Sequence, residues 1–192
     1  MVLSELTFEV NKNVFLKEED KETLIEAYRL YFIKLYGFNI FDAFLKVTNE
    51  DATKVKDKLN CDSEISGNLL LAKKIIDDIQ ENDNYELMLI YSGANLIAGG
   101  RINKIDDKTA SLLEIAVTKE YLDIEKDIYK LAIEYIEKYL KDLDFRKMYL
   151  ETPLKDAKLL KLGYDLGFKE NPADIDISKE VYTYVLNKKL ER

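Results

Sequence analysis

The chain has 192 residues, enough for one domain with a sizeable core, and its 47% hydrophobic and 34% charged residues describe an ordinary globular protein. A formal net charge of −8 leaves no broad positive field, which argues against nucleic acid or an anionic membrane as the partner. Histidine is absent and Cys61 is the single cysteine, so acid–base chemistry falls to Asp, Glu, Lys, Tyr or water, and a reducing cytoplasm fits.

The start, MVLSELTFEVNKNVF, lacks a basic region followed by an apolar signal core, and no run reaches the roughly 18 apolar residues of a membrane span. "LTFEV" (Leu6–Val10) reads as a short strand. An acid-rich stretch, "KEEDKE", then opens a helix on which Leu24, Ala27, Tyr28, Tyr31, Phe32 and Leu35 fall at helical spacing, with Gly37 as its stop. A second helix is predicted over much of Asp42–Leu59. Asn68–Asn82 favours helix through Leu69, Ala72, Ile76 and Ile79. The middle turns to strands. "YELMLIY" (Tyr85–Tyr91) and "LIAGGRINKI" (Leu96–Ile105) read as a hairpin around "SGAN", and "TASLLEIAV" (Thr109–Val117) completes a three-stranded meander.

The most regular amphipathic pattern follows. Ile128, Leu131, Ala132, Tyr135, Ile136, Tyr139, Leu140 and Leu143 keep one helical face apolar, and the helix is expected to begin near Asp127. "RKMYLET" (Arg146–Thr152) is a strand closed by Pro153. A strand–helix–strand passage implies a right-handed crossover, so this strand should lie parallel to a neighbour. "DAKLLKLGYDLGF" (Asp156–Phe168) reads as a short helix and turn, and "EVYTYVLNKKL" (Glu180–Leu190) as a final strand.

Residues of several kinds are candidates for chemistry. Glu114 is a carboxylate set in an apolar run, and Glu151 lies at the carboxyl edge of its strand, where α/β proteins bind ligands. Tyr28, Tyr31, Phe32 and Tyr36 could line a groove, although an aromatic stripe at helical spacing more often forms core. Cys61 has no His to activate it. Gly99 and Gly100 mark a bulge or a close backbone approach. No cluster has metal-ligand spacing, so no metal is expected.

The order of meander, crossover helix, strand, short helix, "Y-x-x-G-F" and last strand resembles the GNAT N-acetyltransferase superfamily. "LIAGGRI", "LLEIAV" and "LGYDLGF" carry the resemblance, which spans Tyr85–Leu190. It implies an α/β (α+β) fold with a mixed, mostly antiparallel sheet, a splayed central parallel pair (Thr109–Val117 and Arg146–Thr152) and helices on both faces. Residues 85–190 would form the acyl-CoA-binding core and residues 1–84 a helical, substrate-side cap within a single domain. The implied activity is direct transfer of an acetyl group from acetyl-CoA to the primary amine of a small molecule or peptide. CoA's pantetheine would pair with backbone at Ile115, Ala116 and Val117, where an N–H would polarise the acetyl carbonyl. Its pyrophosphate would rest on the N–H groups of Lys126, Asp127 and Ile128. Glu114 would take the amine's proton, Tyr164 would protonate the departing thiolate, and Glu151 and Tyr31 would hold the acceptor. The family also allows final-strand exchange in a homodimer.

Two departures mark the sequence. The family's phosphate loop is glycine-rich, whereas "YLDIEKDI" (Tyr121–Ile128) has no glycine. Lys119–Asp127 carries four acids against two lysines, Lys126 among them. A carboxylate about 4 Å from a phosphate oxygen costs about 1 kcal/mol in water and about 4 kcal/mol at an effective dielectric near 20. Asp123 or Asp127 is therefore expected to cap the helix in the phosphate's place. Ala157 stands where the family often has an Asn. The alternative is a GNAT-fold binding or regulatory module that no longer uses CoA. An unrelated α/β ligand-binding domain is a third reading.

Overall fold

The computed structural model describes residues 5–11, 16–36, 64–153, 157–170 and 183–191; the helix predicted at Asp42–Leu59, Gly37 and Cys61 lie outside them. In chain order the elements are β1 (Leu6–Asn11), α1 (Glu18–Tyr36), α2 (Glu64–Glu81), β2 (Tyr85–Ser92), β3 (Asn95–Lys104) and β4 (Thr109–Val117). A 3-10 turn (Lys119–Ile124) then leads into α3 (Glu125–Asp142), followed by β5 (Lys147–Pro153), α4 (Ala157–Asp165), β6 (Lys169–Glu170) and β7 (Thr183–Lys189).

The strands form one seven-stranded sheet in the order β1-β2-β3-β4-β5-β7-β6. All neighbours are antiparallel except β4 and β5, the pair joined by the α3 crossover. Gly93, at φ +62, takes the first central position of the β2–β3 turn, a conformation that suits a twisted hairpin and costs glycine little. Pro153 lies inside β5 rather than beyond its end, paired with Thr183 of β7.

Each face of the sheet carries its own core. α3 and α4 cover one with Ile128, Ala132, Ile136, Leu140, Leu159 and Leu162, packed on Met88, Ile102, Leu112, Met148, Leu150 and Leu186. α1 and α2 cover the other with Leu24, Tyr28, Phe32, Ile75, Ile76 and Ile79, packed on Leu87, Leu89 and Ala116. Tyr28, Tyr31 and Phe32 of the α1 stripe are thus core: Tyr31 is buried and meets Phe32 edge-to-face at 5.5 Å.

Both helices of the crossover side end in the same hydrogen-bonded motif. After α3, Phe145 N–H donates to the Leu140 carbonyl and Asp144 N–H to that of Lys141. Asp144 adopts φ +66 there and is held by Lys108 Nζ at 2.9 Å and Arg146 at 2.7 Å. After α4, Phe168 N–H donates to Gly163 O and Gly167 N–H to Tyr164 O, with Gly167 at φ +86. The sequence "LGYDLGF" is therefore read by packing. A side chain at Gly163 would meet Leu186 Cδ1 at 2.6 Å, Gly167 supplies the left-handed residue, and Phe168 is buried.

Candidate functional site

The parallel ladder between β4 and β5 is short. Thr109, Ala110, Ser111 and Leu112 pair with Lys147, Met148, Tyr149 and Leu150, and there the pairing stops. β4 continues to Val117 beside β3, and β5 continues to Pro153 beside β7, so the two strands part company after Leu112 and Leu150. Lys108 pins the closed end, its carbonyl accepting from the N–H groups of Arg146 and Lys147.

A bulge sits at the point of divergence. Arg101 pairs with Glu114 but Ile102 pairs with Leu112, leaving Leu113 as an extra residue in β4. Such an insertion raises the local twist and reverses which face later side chains point to. Burial records the reversal: Ala110 and Leu112 face the α3 core before it, Ile115 and Val117 after it, while Ala116 joins the α1 core.

Beyond the bulge one edge of β4 has no strand beside it among the described residues. Thr118 N–H donates to Ile97 O on β3 at 2.9 Å. Alternation along an extended chain then turns the N–H and C=O of Val117 and Ile115 to the opposite edge, into the gap. Of the three backbone positions expected to meet a ligand, Ile115 and Val117 present these groups, while those of Ala116 point to β3.

At the open end lies the segment in place of a phosphate loop. Thr118 leads into the 3-10 turn and Glu125 N–H donates to Leu122 O, so the helix begins at Glu125, two residues before the predicted start. Ile124 is the N-cap and no side chain caps it. The expected capping by Asp123 or Asp127 is thus corrected: the turn feeds backbone bonds straight into the helix. Lys126 and Asp127 are exposed, and the Ile128 side chain is buried in the α3 core. Glu125 points elsewhere, accepting from Lys34 Nζ and Tyr129 Oη, both at 2.6 Å. That ion pair joins the end of α1 to the start of α3 around the tip of β4.

Glu114 lies on the α1 face with both oxygens taken by Arg101, Nη2–Oε1 at 2.5 Å and Nε–Oε2 at 3.0 Å. Burial works against the Arg101 charge, but Glu114 overcomes it and the guanidinium is held above its ordinary range. Its flat group also sits 4.9 Å from the centre of the Tyr85 ring. Tyr28 of α1 is buried on the same face, in the core that also takes Ala116. Burial, then the Glu114 carboxylate, pushes its phenol far up, with Arg101 working the other way.

Glu151 follows the last β5 residue paired to β4, and Ser111 Oγ lies 3.4 Å from its Oε1. Tyr164, at the end of α4, is exposed, and its hydroxyl donates to Glu170. The structure therefore brings Glu114, Glu151 and the β4 edge to the divergence, whereas Tyr31 is buried under α1. Sequence reading missed Arg101, and it offered Tyr28 only as one member of an aromatic stripe. Arg101 carried a signal, a cation directly after two glycines in the apolar run LIAGGRI, but its partner is set by a register shift the sequence does not display.

Among the described residues no helix is long and apolar enough to cross a membrane, and no group of three or more Cys, Asp or Glu side chains could hold a metal. No family model and no curated protein sequence matches the chain. Solved structures do. A PaiA N-acetyltransferase of Thermoplasma acidophilum, in complex with coenzyme A, superposes with TM-score 0.58 at 21% identity, covering 95% of this chain and 99% of that one. A spermidine N-acetyltransferase of Vibrio cholerae, in complex with CoA and spermine, gives 0.59 at 18% identity over 97% and 96%. A GNAT-family acetyltransferase of Desulfovibrio desulfuricans gives 0.60 at 10% identity over 97% and 99%. With its mixed sheet, its single parallel pair and its helices on both faces, the chain has the GNAT fold.

Proposed function

We propose that the protein is an acyl-CoA-dependent N-acetyltransferase that moves an acetyl group to a primary amine. The observation that carries this is the parting of β4 and β5 after Leu112 and Leu150, which leaves the backbone groups of Ile115 and Val117 directed into a gap. Acetyl-CoA would supply a reactive thioester there. The chain's own residues would do the rest. Ile115 and Val117 bind and orient the arm, and a backbone N–H of that edge polarises the carbonyl. The N–H groups of α3 just past Glu125, which no side chain caps, receive the anionic end together with Lys126. Tyr164 stands as the proton donor to the leaving thiol. Glu151 attracts the cationic amine, and the elements before residue 85 form the acceptor side. Glu114 is assigned the proton only through water or after release from Arg101, which occupies both of its oxygens. The spermidine and spermine named for the Vibrio structure support a small polyamine-like acceptor, which the net charge of −8 favours.

A second reading is favoured by one observation: the net −2 on Lys119–Asp127, where the fold would place a diphosphate. In that reading the gap binds a partner without CoA. Isothermal titration of the protein with CoA decides between them. Micromolar binding at moderate salt is the result expected of the enzyme; no heat and no thermal stabilisation at millimolar CoA would refute it.

A further inference from the structure

Buried polar side chains in a folded protein nearly always have hydrogen-bond partners, so those without one call for an explanation. Among the described residues two buried hydroxyls have none, Tyr28 Oη and Thr118 Oγ1. Others are satisfied: Glu86 by Lys104 and Tyr139, Ser111 by Glu151. Both orphans belong to one place. Thr118 directly follows Val117, at the open end of the unpaired β4 edge. Tyr28 packs in the same buried core as Ala116, two residues past Glu114 and just beyond the bulge where that edge begins. Alternation from Ala116, which packs in the α1 core, puts Thr118 on the α1 face as well, the face from which Tyr28 approaches.

Thr118 is unusual for a second reason. It occupies the N-cap of the 3-10 turn, where a threonine hydroxyl ordinarily accepts a backbone N–H two or three residues on. Here the carbonyl of Thr118 accepts from Tyr121 instead, and the hydroxyl makes no cap. The side chain best suited to closing the turn is withheld from it and buried.

We propose that Tyr28 and Thr118 are ligand-binding residues: their hydroxyls flank the unpaired β4 edge and take the polar groups of an acyl donor's amide-bearing arm lying along it. This rests on the reading of the gap as the acyl-donor site and adds two residues to it. The backbone of Ile115 and Val117 supplies the in-plane contacts. The hydroxyls add one contact at each end from the α1 side, fixing how far the arm enters. Both are neutral groups, so they offer affinity that does not depend on the acidic turn that follows.

Tyr28→Phe and Thr118→Val test this, since each removes a hydroxyl and keeps the shape. Two quantities are read on each variant, the melting temperature without ligand and the CoA dissociation constant by calorimetry. The expected result is a melting temperature equal to or above wild type, because an unsatisfied group is lost, with CoA binding weakened about fivefold to tenfold in each variant. The double variant should lose roughly the product, with the salt dependence of binding unchanged. Wild-type affinity in both variants would overturn the proposal while leaving the acyl-donor site intact. A lowered melting temperature with unchanged affinity would also overturn it, marking the hydroxyls as partners of buried water. Failure of the wild-type protein itself to bind CoA would overturn the underlying reading and this proposal with it.

Discussion

Two carboxylates sit beneath helices on opposite faces of the sheet, and their surroundings differ in one respect. On the α3 face, Glu86 is fully buried, bonded to Lys104 Nζ at 2.5 Å and to the Tyr139 hydroxyl at 3.0 Å. On the α1 face, Glu114 is gripped by Arg101 at both oxygens, and the nearby Tyr28 hydroxyl bonds to nothing. The first cluster is closed, with each group answered from within the chain. The second borders the gap between β4 and β5 and is incomplete. A closed polar cluster fixes the register of a core; an open one beside a parted pair of strands marks where something else completes it.

The sharpest way to break this contrast is Glu86→Ala. It strands the Lys104 ammonium beneath the α3 face, and urea unfolding should show a loss of about 3 kcal/mol, the low end for a broken buried pair because Lys104 keeps some access to solvent. Next comes Gly100→Ala, which attacks the other cluster through the backbone. Its Cβ would stand 2.8 Å from the Glu114 carbonyl oxygen and 2.7 Å from Met88 Cε. The methionine can move but the carbonyl cannot, so a loss of about 2 kcal/mol is expected by the same measurement.

Tyr139→Phe then sharpens the comparison. Removing a phenol bonded to a buried carboxylate should cost about 1.5 kcal/mol, whereas Tyr28→Phe should cost nothing. Equal losses in the two variants would erase the distinction between the faces. The smallest effect is in acid. Burial raises Glu137, but hydrogen bonds from Lys188 and Lys141 outweigh it and hold the carboxyl below its ordinary range. A depressed carboxyl lends stability that is complete above its unfolded pKa and is lost as pH falls through the folded one, here below about pH 4. Melting temperatures taken from pH 6 to pH 3 should fall more gently for Glu137→Gln than for wild type.

Much of the fold was legible because its patterns are local. Thr109–Val117 was placed to the residue, and α3 announced itself through an unbroken apolar stripe. The resemblance of "LGYDLGF" to its family proved to rest on packing, a glycine against Leu186 and a glycine with positive φ. The start of α3 was less legible. Four acids before a helix suggest capping, but a 3-10 turn delivers its backbone bonds without them, and Glu125 is claimed by Lys34, far off in sequence, and by Tyr129 one turn along the same helix. The site was the least legible part. "SLLEIAV" is apolar on both sides of the bulge, so nothing in its alternation reveals that Glu114 changes face. Nor does the sequence say that Arg101, thirteen positions earlier, will meet it.

The brevity of the ladder from Thr109 to Leu112 has a mechanical consequence. It is the only main-chain seam along which the β1–β4 half of the sheet meets the β5–β7 half among the described residues. Apart from the two-residue pairing of β6 with β7, each half is zipped internally by longer antiparallel runs, so the backbone is joined like a book along a partial spine, with the core beneath α3 and α4 spanning both leaves. Amide exchange should report the two leaves as separate cooperative units, with the protons of Ala110 and Leu112 released at the lower of the two opening energies.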